Sequence, residues 1–388
     1  MYNLETIIEE NIANSISNLA RRYQERGKPK LAKELYLKAL KLREKLSVIN
    51  QDYYQPLIAE TLTLLAFVSK ELNRYDLAIE YHMSATLMIE ELFETTSLTK
   101  YMLLLAESYS DIGSIYRREY RYDKAELFYN KSLKCYKKIS KGDSESLEMK
   151  LLNIYNYLSV ICYEQKKFKE TEDAYLGALE IYKHLLREDS DVYRDELATL
   201  LFNLAGLYFE NEQQNRARDV YLWTLELLLS LAQKAPHAYK DMLAMTLHRL
   251  AKLYTLQLER SNAISAFRES LKYYVALAEE NPSKYSPHIA LIFKDLASFY
   301  KRQNKMEMAQ YFHLKVIESY RDLSHYNESL YALKLVASII DGVSNYQQHT
   351  LSLYEAEAIL KYYRDDIQGL HLLEEIEALR EERSYVYL

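Results

Sequence analysis

Along most of the chain, apolar residues recur at offsets of three and four, the spacing that keeps one face of a helix dry and the other wet. Within that background lies a stricter register: a small residue, an aromatic four later, and another small residue three after that. It recurs as Ala32-Tyr36-Ala39, Ala125-Tyr129-Ser132, Thr171-Tyr175-Ala178, Ala217-Tyr221-Thr224 and Ala263-Phe267-Ser270, with looser copies Ala78-His82-Ala85 and Ala309-His313-Val316. The first residues of these triplets are 46, 47, 46, 46, 46 and 46 positions apart. Such regularity marks an internal repeat, and a repeat decides the fold before any single element does.

A second register sits twelve residues before each triplet. A large apolar residue precedes a small one, and an aromatic usually follows three later. Its copies are Leu19-Ala20-Tyr23, Ile112-Gly113-Tyr116, Leu204-Ala205-Tyr208, Leu250-Ala251-Tyr254 and Leu296-Ala297-Tyr300. Leu65-Ala66-Ser69 and Leu158-Ser159-Cys162 are degenerate versions. The offsets put each set on one helix face, so small residues let two helices approach and rings fill the space beside them. Each repeat is thus predicted to hold two helices of about 18–20 residues, roughly 27–30 Å long.

These residues resemble the tetratricopeptide repeat, with its Leu-Gly/Ala…Tyr first helix and Ala…Phe/Tyr…Ala second helix. Tyr75, Tyr122 and Phe168, three residues before their triplets, match the aromatic of that family's turn. The family's basic unit is about 34 residues, so a period near 46 resembles the long repeats of kinesin light chains and of bacterial scaffold proteins. The excess is expected in longer second helices and in inter-repeat loops such as Glu279 to Pro287. Armadillo and HEAT repeats share the period but do not normally carry this triplet.

The expected fold is all-α: a superhelical solenoid of antiparallel helix pairs. Residues 1–325 are read as seven repeats starting near 10, 54, 100, 146, 192, 238 and 284. Residues 326–388 keep helical periodicity without the register. Tyr331 to Val343 and Thr350 to Tyr363 read as a degenerate eighth pair, and Asp366 to Arg383 as a charged capping helix with a polar outer face.

Composition narrows the picture. The 388 residues include only 7 Gly and 5 Pro, too little punctuation for a sheet-rich fold. A net charge of −6 speaks against a general nucleic-acid binder. No apolar run reaches the length of a membrane span, and Met1 to Thr6 lacks the basic and apolar regions of a signal peptide. Cys135 and Cys162 form no disulfide framework and suit the reducing cytoplasm.

Candidate chemistry is sparse. The chain holds no Gly-rich phosphate loop, His-Glu-x-x-His helix, Cys-x-x-Cys or Gly-x-Ser-x-Gly elbow, and no cofactor or metal is expected. His82 and His313 occupy the aromatic slot of the triplet and read as rings filling holes. Cys162 stands in the aromatic slot of the second register, and it and Cys135 read as small apolar residues. Trp223 reads as packing. The tyrosines largely fall at repeat positions, so they form no nucleic-acid stacking platform.

The resemblance implies that first helices line a concave face where partners lie. Its inward residues would be three before, one after and four after the small residue of each first helix. Six of those twenty-one positions are Lys or Arg and none is acidic. The expected groove contains Arg21, Lys70 and Arg117 on one flank, Asn156, Tyr163, Phe202 and Phe209 in the middle, and His248, Lys252, Lys294 and Lys301 on the other. It would suit a peptide with a hydrophobic anchor and acidic flanks. A mixed polar face without built-in specificity accounts for the same residues.

The function expected is a non-enzymatic scaffold for a protein or peptide, with the partner's identity and the oligomeric state left open. The alternative is a regulatory sensor, resembling bacterial peptide-pheromone receptors, whose superhelix changes conformation on binding a peptide and thereby controls a protein target. Those receptors carry a separate N-terminal bundle or helix-turn-helix, whereas here the first repeat begins near residue 10.

Overall fold

The computed structural model describes residues 4–139, 145–188, 192–346, 352–363 and 365–384. Met1 and Thr350, used above, lie outside them. The chain divides into two compact units, Met1–Asp191 and Val192–Leu388. The first holds α1 (Leu4–Glu25), α2 (Pro29–Ser47), α3 (Gln51–Glu71), α4 (Tyr75–Thr96), α5 (Thr99–Arg118), α6 (Tyr122–Lys138), α7 (Glu145–Glu164) and α8 (Phe168–Glu188). The second holds α9 (Arg194–Glu210), α10 (Gln214–Lys234), α11 (Lys240–Leu256), α12 (Arg260–Glu280), α13 (Pro282–Arg302), α14 (Met306–Tyr326), α15 (Glu328–Asn345), α16 (Ser352–Leu360) and α17 (Ile367–Ser384). Within each unit every helix packs on its neighbours in sequence, giving a tetratricopeptide-like stack of antiparallel pairs, and α17 closes on both α15 and α16.

The registers read from the sequence become the core. In the seven triplets the small residues Ala32, Ala39, Ala78, Ala85, Ala125, Ser132, Thr171, Ala178, Ala217, Thr224, Ala263, Ser270 and Ala309 are buried, as are the rings of Tyr36, Tyr129, Tyr221 and Phe267. Each such ring contributes roughly 1.5–3 kcal/mol on leaving water. The facing small residues Ala20, Ala66, Ala205, Ala251 and Ala297 are fully buried. Closeness explains the demand for small side chains: a Cβ at Gly113 would stand 3.0 Å from the Tyr129 ring. Two of the buried serine hydroxyls reach carbonyls of the facing first helix. Ser132 Oγ donates to the Ala106 carbonyl at 2.6 Å, and Ser270 Oγ donates to that of Ala244 at 2.7 Å.

The turn inside each pair is three residues long, and its middle residue is left-handed: Gly27, Asn73, Tyr120, Lys166, Glu212, Leu258 and Asn304, all with φ between 56° and 66°. The next amide donates to the carbonyl five residues back at 2.8–3.0 Å, which satisfies an otherwise orphaned end of the first helix. The acceptors are the last residues of the second register, Tyr23, Ser69, Tyr116, Cys162, Tyr208, Tyr254 and Tyr300. That register therefore supplies both the packing ring and the end of the helix.

One expectation is overturned. Glu279 to Pro287 is not a loop: α12 runs to Glu280, Asn281 alone connects, and α13 begins at Pro282. The Asn281 side chain accepts from the Lys284 amide at 3.2 Å, and Pro282 stands at the first helical position, where its missing N–H is no loss. Pro287 lies inside α13 and forgoes one backbone hydrogen bond, as Pro56 does in α3. The period exceeds the basic unit because the helices are longer, 17–22 residues in the seven pairs.

Candidate functional site

In the first unit the cations at the expected groove positions of the first helices are already engaged by the next repeat. Arg21 Nη2 lies 3.5 Å from Glu60 Oε1, with both side chains about half exposed. Lys70 Nζ donates to Ser114 Oγ at 2.9 Å and stands 3.9 Å from Asp111. Burial raises the Asp111 carboxyl above its ordinary value, and Lys70 works in the opposite direction. Arg117 lies over the Tyr157 ring, 4.9 Å from its centre. Asn156 is half-buried, while Phe67, Val160 and Tyr163 leave apolar surface in water.

The second unit presents two cavities on the same kind of face. Phe209, Lys252, Phe267, Asp295, Phe299 and Arg302 line one of about 280 Å³. Lys294, Lys301, Arg302, His313, Lys334 and Asp341 line the other, of about 770 Å³. Ser298 and Arg302 belong to both walls, so the cavities adjoin. Phe209 has Arg249 6.0 Å from its ring centre. His248 Nε2 lies 2.8 Å from Asp295 Oδ2, and Lys252 Nζ lies 3.8 Å from the same carboxylate. Phe202 is different: half-buried, it meets the Tyr221 ring edge-on at 5.6 Å and belongs more to the core than to a groove.

The structure thus brings Phe209, Lys252, Lys294 and Lys301 to adjoining cavities, and it adds acidic residues that the sequence reading passed over. Asp111 and Asp295 stand two positions before the small residue of their helices, each beside a base of the preceding repeat. Asp341 lies 46 residues after Asp295, in the same register on α15. The inward face is therefore less one-sided in charge than the chosen positions implied. The recurrence of Asp at that offset was the available signal.

The remaining candidates resolve simply. His82 and His313 are buried rings in the aromatic slot. Cys162 is buried and its thiol is pushed up to about 11 by burial; Cys135 is raised by the same cause, and both are free. Trp223 stands partly exposed on α10. Among the described residues no group of His, Cys, Asp and Glu could hold a metal ion, and no helix is long and apolar enough to cross a membrane.

Paired helices keyed by small residues and rings, with cavities along their first helices, give the chain a tetratricopeptide-like helical-repeat fold. The family model described as "Tetratricopeptide repeat" matches residues 12–50 and 105–144. A Pyrococcus horikoshii signal-transduction ATPase with numerous domains and a tetratricopeptide repeat sensor is similar in fold, with a TM-score of 0.50 and 13% identity; the match covers 97% of this chain and 55% of that one. BtubC from P. vanneervenii is 21% identical over 63% of this chain and 90% of its own, with a TM-score of 0.39. A putative kinesin light chain from Podosopora anserina, described as nearly identical TPR-like repeats, is 15% identical over 58% of this chain and 98% of its own, with a TM-score of 0.41. No curated protein matches the chain. Tetratricopeptide-repeat proteins generally mediate protein interactions and are generally non-enzymatic.

Proposed function

We propose that the chain is a non-enzymatic scaffold that binds a protein or peptide through the inward residues of its first helices, with the second unit as the principal seat. The observation that carries this reading is the pair of adjoining cavities, one walled by Phe209, Phe267 and Phe299 and both edged by cations. Phe209, the partly exposed ring of that wall, accepts an apolar anchor, and peripheral lysines steer acidic flanks toward it. The two free thiols fit a cytoplasmic scaffold, since that compartment keeps thiols reduced.

Charge reversal tests the reading. Lys252→Glu together with Lys294→Glu is expected to weaken partner capture at low salt by about tenfold or more. Lys272→Glu, on the exposed side of α12, is expected to leave it intact. Equal capture by wild type and the double variant overturns the proposal.

A second reading, a regulatory sensor that changes shape on binding a peptide and so controls a protein target, draws on the Pyrococcus horikoshii protein, whose repeats are described as a sensor. It requires small-angle scattering to show compaction when the partner binds. An unchanged radius of gyration in the bound state removes it.

A further inference from the structure

The 770 Å³ cavity of the second unit carries more positive charge than its own wall balances. Lys294, Lys301 and Arg302 from α13 and Lys334 from α15 line it, against the single carboxylate of Asp341. That carboxylate is already held, because Asn345 Nδ2 donates to its Oδ1 at 2.8 Å. Lys301 Nζ donates to Asn345 Oδ1 at 2.9 Å and lies 5.1 Å from the centre of the Tyr346 ring. Lys334 lies over Tyr331, 5.1 Å from its ring centre. Among the described residues Lys294 and Arg302 have neither a hydrogen-bond nor an ion-pair partner. Two other first-helix lysines each have a carboxylate beside them, Lys70 that of Asp111 and Lys252 that of Asp295.

The same wall leaves one buried polar atom unsatisfied. His313 is 1% exposed, stacks on Tyr346 with ring centres 4.2 Å apart, and has Nε2 2.9 Å from the Ser338 carbonyl oxygen. Donation to that carbonyl places the hydrogen on Nε2 and leaves Nδ1 as an acceptor. Nδ1 has no hydrogen-bond partner and faces Asp341 Oδ2 at 3.8 Å, two acceptors with no hydrogen between them. A ligand that fits must bring negative charge for the lysines and arginine.

We propose that this cavity binds a phosphate monoester. The proposal rests on the reading of α13's inward residues as a binding face, and it adds the chemical class of the ligand. A single carboxylate balances one cation, whereas a phosphomonoester carries about −1.5 to −2 charge near neutral pH and three acceptor oxygens. The cavity volume falls within the roughly 300–1,000 Å³ of small-ligand sites, so an organic group has room beside the phosphate. Arginine and lysine complement one another here, the first as a planar fork and the second as a point charge.

The test is calorimetric titration of the full chain at low ionic strength with inorganic phosphate, O-phospho-L-serine, a phosphoserine peptide and acetate. Phosphate and phosphoserine are expected to bind and acetate not to. Lys294→Gln with Arg302→Gln should weaken that binding by about tenfold or more, because each removes a charge-assisted hydrogen bond. Lys272→Gln, on the exposed side of α12 and outside both cavities, should leave it unchanged. Should the double variant melt early, Lys334→Gln on α15 takes its place. Tighter binding of the phosphopeptide than of O-phospho-L-serine assigns the ligand to a peptide, and equal binding assigns it to a small phosphomonoester. No binding of phosphate or phosphoserine, binding that survives the variants, or acetate binding as tightly overturns the proposal. Phosphate binding alongside partner capture that survives Lys252→Glu with Lys294→Glu sinks the docking reading and leaves this one standing.

Discussion

His82 sits where most repeats place a tyrosine or phenylalanine, and it shows what that slot does to a titratable ring. Burial, helped by the charge of Lys70, lowers its pKa from 6.5 to about 4, and its Nδ1 has no partner. The folded state therefore prefers the neutral ring. Its contribution is complete above pH 6.5 and is lost as the pH falls toward 4, where the unfolded chain binds a proton that the folded chain refuses. A shift of that size corresponds to about 3 kcal/mol. His82→Phe, which fills the slot as Phe267 does, is expected to flatten the difference in stability between pH 7 and pH 5, read from urea denaturation at both. An unchanged difference contradicts this account of the slot. Cys162 gives a companion test: a buried thiol raised to about 11 is almost wholly protonated at pH 7 and should resist alkylation until the chain unfolds. The slots themselves were legible from spacing alone. The partners of the inward bases, Asp111 and Asp295, were not, because they lie on the next repeat at an offset that the chosen positions omitted.

At the scale of the element, the turn inside each helix pair repeats as strictly as the core does. Its left-handed residues follow the same 46- or 47-residue spacing, yet only Gly27, Asn73 and Asn304 are residue types suited to the conformation. Tyr120, Lys166, Glu212 and Leu258 adopt it because two backbone hydrogen bonds and the packed pair overrule their preference. That is why helix pairs could be read from ring spacing while the turn geometry could not. A left-handed residue with a Cβ costs roughly 1–2 kcal/mol, and glycine gives back part of that through its greater freedom when unfolded. Leu258 is 81% exposed, so little packing is lost with its side chain. Leu258→Gly should therefore raise stability by about 0.5–1 kcal/mol in urea denaturation. A loss of stability instead shows that the turn carries no strain. The single-residue connection at Asn281 was hidden for a related reason: two prolines near a polar cluster read as a loop, but proline at a helix start is no breaker.

At the scale of the molecule, the sequence pattern carried the repeat architecture, since burial of a recurring ring and its small partners leaves a periodic trace. The proposed binding face leaves a weaker one, because a first-helix lysine can engage the next repeat, as Lys70 and Lys252 do, or have no such partner among the described residues, as with Lys294. Their difference depends on what the neighbouring helix offers across a few ångströms. The central claim, that a partner docks on the first-helix face of the second unit, is tested most directly by photocrosslinking in the native cell. A photoreactive residue at Phe209, on the wall of the smaller cavity, is compared with one at Leu222 on α10, which is more exposed but lies outside both cavities. The account predicts a discrete adduct from position 209 and none from 222. An adduct from 222 alone, with position 209 silent, contradicts it.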